Sequence, residues 1–90
     1  MTSSAQLRAA RALLGASQPE IAALSGLSTM TVKRAEGAGQ PSASAEAIAK
    51  IRAALEAAGV EFIPENGGGV GVRLLEKHGA GVLVSHNAIK

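Results

Sequence analysis

Apolar positions follow one rhythm up to Gly59 and another after it. Leu7, Ala10, Leu13 and Leu14 recur at helical spacing while Arg8 and Arg11 point elsewhere, which predicts a helix over residues 4–14. Ser3 or Ser4 can cap its start, and Gly15 stands where a stop is expected. Ser17-Gln18-Pro19-Glu20 has the form of a capping box: the serine hydroxyl accepts from the N–H three residues on, and the glutamate reaches back. Proline is tolerated there, because the N–H it lacks has no intrahelical partner in a first turn. The short helix it opens carries Ile21, Ala22 and Leu24 and ends at Ser25-Gly26. The strongest helical repeat is Ile48, Ile51, Leu55 and Ala58 within residues 44–58, with Glu46–Lys50 and Arg52–Glu56 as i,i+4 pairs and Gly59 as terminator.

Residues 25–34, SGLSTMTVKR, break the rule locally. Ser28 to Val32 alternate polar and apolar, and Thr29, Thr31 and Val32 are β-branched, a strand-like signature. The flanks nevertheless read as helix. A helix from about Thr29 to Glu36, capped by Ser28 and packed through Leu27 and Val32, accommodates the stretch if tertiary packing overrides propensity. Gly37-Ala38-Gly39-Gln40-Pro41 is a loop by composition.

Beyond Gly59 the period becomes two. Val60-Glu61-Phe62-Ile63 and Val70-Gly71-Val72-Arg73-Leu74-Leu75 flank a turn-forming Pro64-Glu65-Asn66-Gly67-Gly68-Gly69, which predicts a β-hairpin within residues 60–77. Val60 and Phe62 would share a face with Val72 and Leu74, and Glu61 would pair with Arg73. Residues 78–90 read either as a short strand at Val82-Leu83-Val84 or as a frayed tail.

Composition narrows the function. Hydrophobic residues are 47% of the 90, yet Phe62 is the only aromatic, so the core is built of Leu, Ile, Val and Ala. So light a core gains from a second subunit. The absence of cysteine removes disulfides, thiolate chemistry and Cys-type zinc sites. His78 and His86 lack metal-ligand spacing, and without any aspartate no Ser/His/Asp set exists, so neither metal nor cofactor nor enzymatic activity is expected. Gly67-Gly68-Gly69-Val70-Gly71 looks like a phosphate loop, but a strand follows where such a loop needs a helix. No apolar run reaches the ~20 residues that cross a bilayer, and the start lacks a signal-peptide pattern, so a cytoplasmic location is expected. Net charge is +2, and the excess lies in residues 1–40, where Arg8, Arg11, Lys33 and Arg34 face only Glu20 and Glu36. That half is where a polyanion would be gripped.

Two short helices joined by a glycine turn and flanked by longer ones form a helix-turn-helix arrangement. Leu7, Arg8, Arg11, Leu14 and Gly15, then Ser17-Gln18, Glu20-Ile21-Ala22, Gly26-Leu27-Ser28, Val32 and Glu36 followed by Gly37 resemble the Cro/C1-type (Xre) helix-turn-helix family of transcriptional regulators. The resemblance covers roughly residues 4–58. It implies a mainly α, four- to five-helix lambda-repressor-like domain over residues 1–59, followed by the short C-terminal hairpin. It assigns Ala22 to close helix approach, Gly26 to the turn, Leu27 to the core, Ser28 to the cap and Val32 to anchoring the third helix. Arg11 is expected to pair with Glu36. Ala16 and Ala35 depart from the pattern, standing where larger apolar residues are usual, which implies a thinner core.

The same resemblance implies DNA contacts from Gln18, Ser28, Thr29, Met30, Thr31, Lys33 and Arg34. Thr29 and Met30 would meet base edges first; Lys33 and Arg34 would bind guanine or phosphates; Gln18 would bind a phosphate and Thr31 would lie at the backbone edge. Met30 also suits a core gap, and Lys33 and Arg34 a solvated face. The implied function is a homodimeric, sequence-specific regulator of transcription, a repressor or an activator, on inverted-repeat operators in a bacterial cytoplasm. Val60, Phe62, Ile63, Val72 and Leu74 are the candidates for dimerisation through the hairpin. With no room after Gly59 for a ligand-sensing domain, regulation would come from concentration, operator arrangement or a regulatory protein partner. The alternative is an antitoxin or antiactivator whose main role is binding such a partner.

Overall fold

Ser3 starts the first helix by accepting from the Gln6 N–H at 3.0 Å, while the Gln6 side chain accepts from the Ser3 N–H at 3.0 Å. The computed structural model describes residues 2–75, and over that span the order is α1 (Ser4–Leu14), α2 (Gln18–Ser25), α3 (Thr29–Ala35), α4 (Ala45–Ala57), β1 (Val60–Ile63) and β2 (Gly71–Leu74). The domain is therefore mainly helical, with four helices and one two-stranded antiparallel sheet among the described residues. The reading of Val82-Leu83-Val84 as a third strand, or of residues 78–90 as a tail, lies outside them.

A single apolar cluster joins all six elements. Leu7, Ala10 and Leu14 of α1 meet Ile21 and Ala22 of α2, Val32 and Ala35 of α3, Ile51 and Leu55 of α4, and Val60 and Phe62 of β1. Leu27, Ile48, Ala58, Val72 and Leu74 pack half-buried against it. Each large member contributes about 1.5–3 kcal/mol by leaving water, and few are large, so each counts for much. Ala16 and Ala35, buried at 8% and 4% exposure, let the helices close over that thin core. Leu13 is exposed at 42%, contrary to its expected place on the apolar stripe. At about 100° per residue the stripe is Leu7, Ala10 and Leu14, and Leu13 lies past its edge. Leu24 is exposed too, because α2 buries only Ile21 and Ala22.

The hairpin has the expected register. Val60 faces Leu74, Glu61 faces Arg73, Phe62 faces Val72 and Ile63 faces Gly71. Alternation puts Val60 and Phe62 into the core and leaves Glu61 and Arg73 outside, joined at 2.7 Å. Gln6, buried at 6% exposure, donates from Nε2 to the Gly71 carbonyl at 3.1 Å and so ties the start of β2 to α1. The Arg52 guanidinium lies 4.8 Å over the Phe62 ring while also donating to Glu56 and Thr2. In the connecting loop, one oxygen of Glu65 accepts from the Gly67 and Gly69 N–H groups. The backbone donors of this glycine run thus serve their own chain, two on that carboxylate and the Gly68 N–H on the Asn66 side-chain oxygen.

Candidate nucleic-acid interface

The α2–α3 pair is built by three local devices. Ser17 caps α2 by accepting from the Glu20 N–H at 3.1 Å, and Glu20 accepts from the Ser17 N–H at 2.7 Å. Pro19 sits in the first turn without cost to the helix. Gly26, in the left-handed region at φ +76°, then turns the chain, and the Leu27 N–H donates back to the Ala22 carbonyl. A Cβ at position 26 would meet no neighbour within 4 Å, so it is the backbone conformation that calls for glycine there. Ser28 caps α3, accepting from the Thr31 N–H at 3.1 Å.

The strand-like stretch is therefore helical, and its burial explains how. Val32 is fully buried and Ala35 nearly so, one turn apart on the inner face. Opposite them, Met30 is exposed at 51% and Lys33 is exposed, while Thr29, Thr31 and Arg34 are half-buried. Thr29 with Lys33, and Met30 with Arg34, are i,i+4 neighbours, so these four make one continuous outer surface. Met30 therefore fills no gap in the core. The exposed hydroxyl of Ser28 lies 2.9 Å from that of Thr31, so these two candidates partner one another. Ion pairs among the described residues join Arg11 to Glu36, Lys50 to Glu46, Arg52 to Glu56 and Arg73 to Glu61. Lys33 and Arg34 enter none of these pairs among the described residues.

Gln18 lies at the first residue of α2 but not free. Its Nε2 donates to Glu36 Oε1 at 3.0 Å. Glu36, at the end of α3 and 5% exposed, is held in turn by Arg11, with Nε to Oε2 at 2.8 Å and Nη2 to Oε1 at 3.0 Å. These hydrogen bonds raise the Arg11 pKa above its ordinary value, against the opposing effect of burial. Arg8 donates to the Glu36 carbonyl at 2.6 Å, closing the C-terminus of α3. Arg8 and Arg11 thus brace the helix pair from behind. The Arg11–Glu36 pairing is the one the family resemblance implies. The roles of Gln18 and Arg8 as further partners of Glu36 were not expected, for neither that resemblance nor any spacing rule carries them.

The hairpin candidates are placed differently from expectation. Val60 and Phe62, at 1% and 7% exposure, belong to this chain's own core and offer no open dimer surface. Val72 and Leu74 pack half-buried against the same cluster, and Ile63 is half-buried near Gly71. The alternation that marked these residues as apolar also turned them inward. What the hairpin leaves outward is the Glu61–Arg73 face.

Clefts of about 310 Å³ lie beside Ala23 and Leu24, and of about 220 Å³ beside Arg52 and Phe62. No three His, Cys, Asp or Glu side chains converge as metal ligands among the described residues, and no helix there is long and apolar enough to cross a membrane. No protein-family model matches the chain, and no curated protein matches it.

Proposed function

We propose that the protein is a sequence-specific regulator of transcription that binds double-stranded DNA, with a lambda-repressor-like fold of the Cro/C1 (Xre) kind. One observation carries the reading: a short capped helix, reached by a glycine turn, buries Val32 and turns Thr29, Met30, Lys33 and Arg34 outward together. In a helix-turn-helix that face enters the major groove, where threonine and methionine touch thymine methyl groups and the cations reach guanine or phosphates. One such unit reads few base pairs, so a homodimer on inverted half-sites supplies the remaining specificity. A cytoplasmic bacterial setting suits this role.

Selection of duplexes from a randomised pool, followed by a gel shift across a salt series, tests the reading. An enriched motif with inverted symmetry and a steep salt dependence is expected. Failure to enrich any motif, or equal binding to all duplexes at low salt, overturns it. Exposed Leu24 beside the Ala16–Ala23 cleft favours a second reading, binding of a regulatory partner protein, in which case affinity for DNA would be weak and unselective.

A further inference from the structure

A relay of three side chains runs from α1 through the end of α3 to the start of α2. Arg11 holds both carboxylate oxygens of Glu36, and one of those oxygens also accepts from Gln18 Nε2 at 3.0 Å. Glu36 is buried and Gln18 half-buried. An amide nitrogen carries two hydrogens. With one committed to Glu36, the direction of the other is fixed. The Ser17–Glu20 capping box fixes the backbone beneath it. Both ends of a flexible side chain are thus held before any ligand arrives, and its ordering entropy is lost in folding rather than in binding.

We infer that Glu36 is a positioning residue for DNA binding: held by Arg11, it presets the Gln18 amide so that its second hydrogen donates to a phosphate. The inference rests on the DNA-binding reading and adds to it two residues that touch no ligand. Charge alone makes the opposite forecast, which renders the idea testable. Removing the negative charge of Glu36 would strengthen binding to a polyanion if charge were all that mattered. Loss of positioning weakens it. A glutamine at position 36 can keep its oxygen toward Gln18 only by turning its NH₂ onto the Arg11 Nε–H, which strips one prong from Arg11 and leaves Gln18 a neutral, weaker acceptor, so the hold on the Gln18 amide loosens.

The experiment is a double-mutant cycle on the full chain with Gln18→Ala, Glu36→Gln and both together. Affinity is read by fluorescence anisotropy on a duplex that the wild-type protein selects from a randomised pool, and circular dichroism monitors the fold of each variant. Gln18→Ala weakens binding about tenfold, as loss of a charge-assisted hydrogen bond should. Glu36→Gln alone weakens binding several-fold despite the lost negative charge, and it no longer weakens binding once Gln18 is alanine. If Glu36→Gln strengthens binding, or weakens it equally in both backgrounds, the inference falls and the DNA reading stands. If the wild-type protein selects no duplex, both fall.

Should Glu36→Gln fail to fold, Arg11→Lys replaces it, keeping the charge while removing the planar fork. Its loss of affinity must likewise depend on Gln18; a loss independent of Gln18 overturns the inference. The free protein gives a direct check by nuclear magnetic resonance. One Gln18 side-chain amide proton is shifted downfield by the carboxylate and returns to its ordinary position in the Glu36 or Arg11 variant. Two ordinary amide protons in the wild type overturn the preset.

Discussion

Arg11 and Glu36 form a two-pronged ion pair across 25 residues of chain, Nε to Oε2 at 2.8 Å and Nη2 to Oε1 at 3.0 Å. The arginine side chain keeps 24% of its exposure and the glutamate only 4%, so the carboxylate depends on its partner far more than the reverse. Truncating Arg11 to alanine strands a buried charge and should cost about 3 kcal/mol, measured by urea unfolding. Replacing both residues with methionine and leucine should restore part of that loss, because no buried charge is then left unpaired. The raised arginine pKa means that its contribution is complete at every pH below the ordinary arginine value. It is lost only in strongly alkaline solution, so a pH titration around neutrality should show no loss attributable to this arginine.

Met30 and Val32 stand two positions apart on α3 and face opposite ways, at 51% and 0% exposure. Val32→Ala opens a cavity in the cluster shared by all six elements and should lower stability by about 2 kcal/mol. Met30→Ala should change stability by less than about 0.5 kcal/mol. Under the DNA-binding reading it should still alter the sequences recovered in selection, by removing an apolar contact with the bases. Thermal unfolding and selection on the same two proteins separate the effects.

Lys33 and Arg34 share the outer face but not the same exposure: Lys33 is exposed and Arg34 half-buried. If Lys33 grips phosphate, Lys33→Ala should weaken binding to all duplexes alike and reduce the slope of affinity against salt by about one unit. If Arg34 reaches a guanine, Arg34→Ala should cost about 1–3 kcal/mol on the selected duplex and relax preference at one base pair. Affinity measured against salt on selected and unselected duplexes distinguishes the two roles for either residue.

Local chemistry explains why so much of this structure was readable. Ser17 and Glu20, Ser28, and Gly26 lie within a turn of the groups they serve, so spacing alone reveals them. The hairpin register follows from alternation, since placing Val60 and Phe62 on one face forces Glu61 toward Arg73. The bond from Gln6 to Gly71 crosses 65 residues, and that from Gln18 to Glu36 crosses 18. Such contacts depend on how elements pack and leave no periodic trace. The same limit made the hairpin's apolar residues look available for dimerisation. Alternation identifies an apolar face without saying whether it closes on its own chain or on another.

That distinction changes what a truncation reports. With Phe62 at 7% exposure under Arg52, and Val60 at 1%, the hairpin completes the core on which α1 and α4 pack. Phe62→Ala should therefore destabilise the single chain by about 3–4 kcal/mol, a large share of what so small a domain possesses. A chain ending at Gly59 should lose helical signal in circular dichroism and unfold at lower temperature, rather than persist as a well-folded monomer. Sedimentation of the full chain over a range of concentrations then measures self-association without disturbing the core. A folded, stable 1–59 fragment would show instead that the helices suffice alone, and would return the apolar face of the hairpin to the list of surfaces open to a second copy.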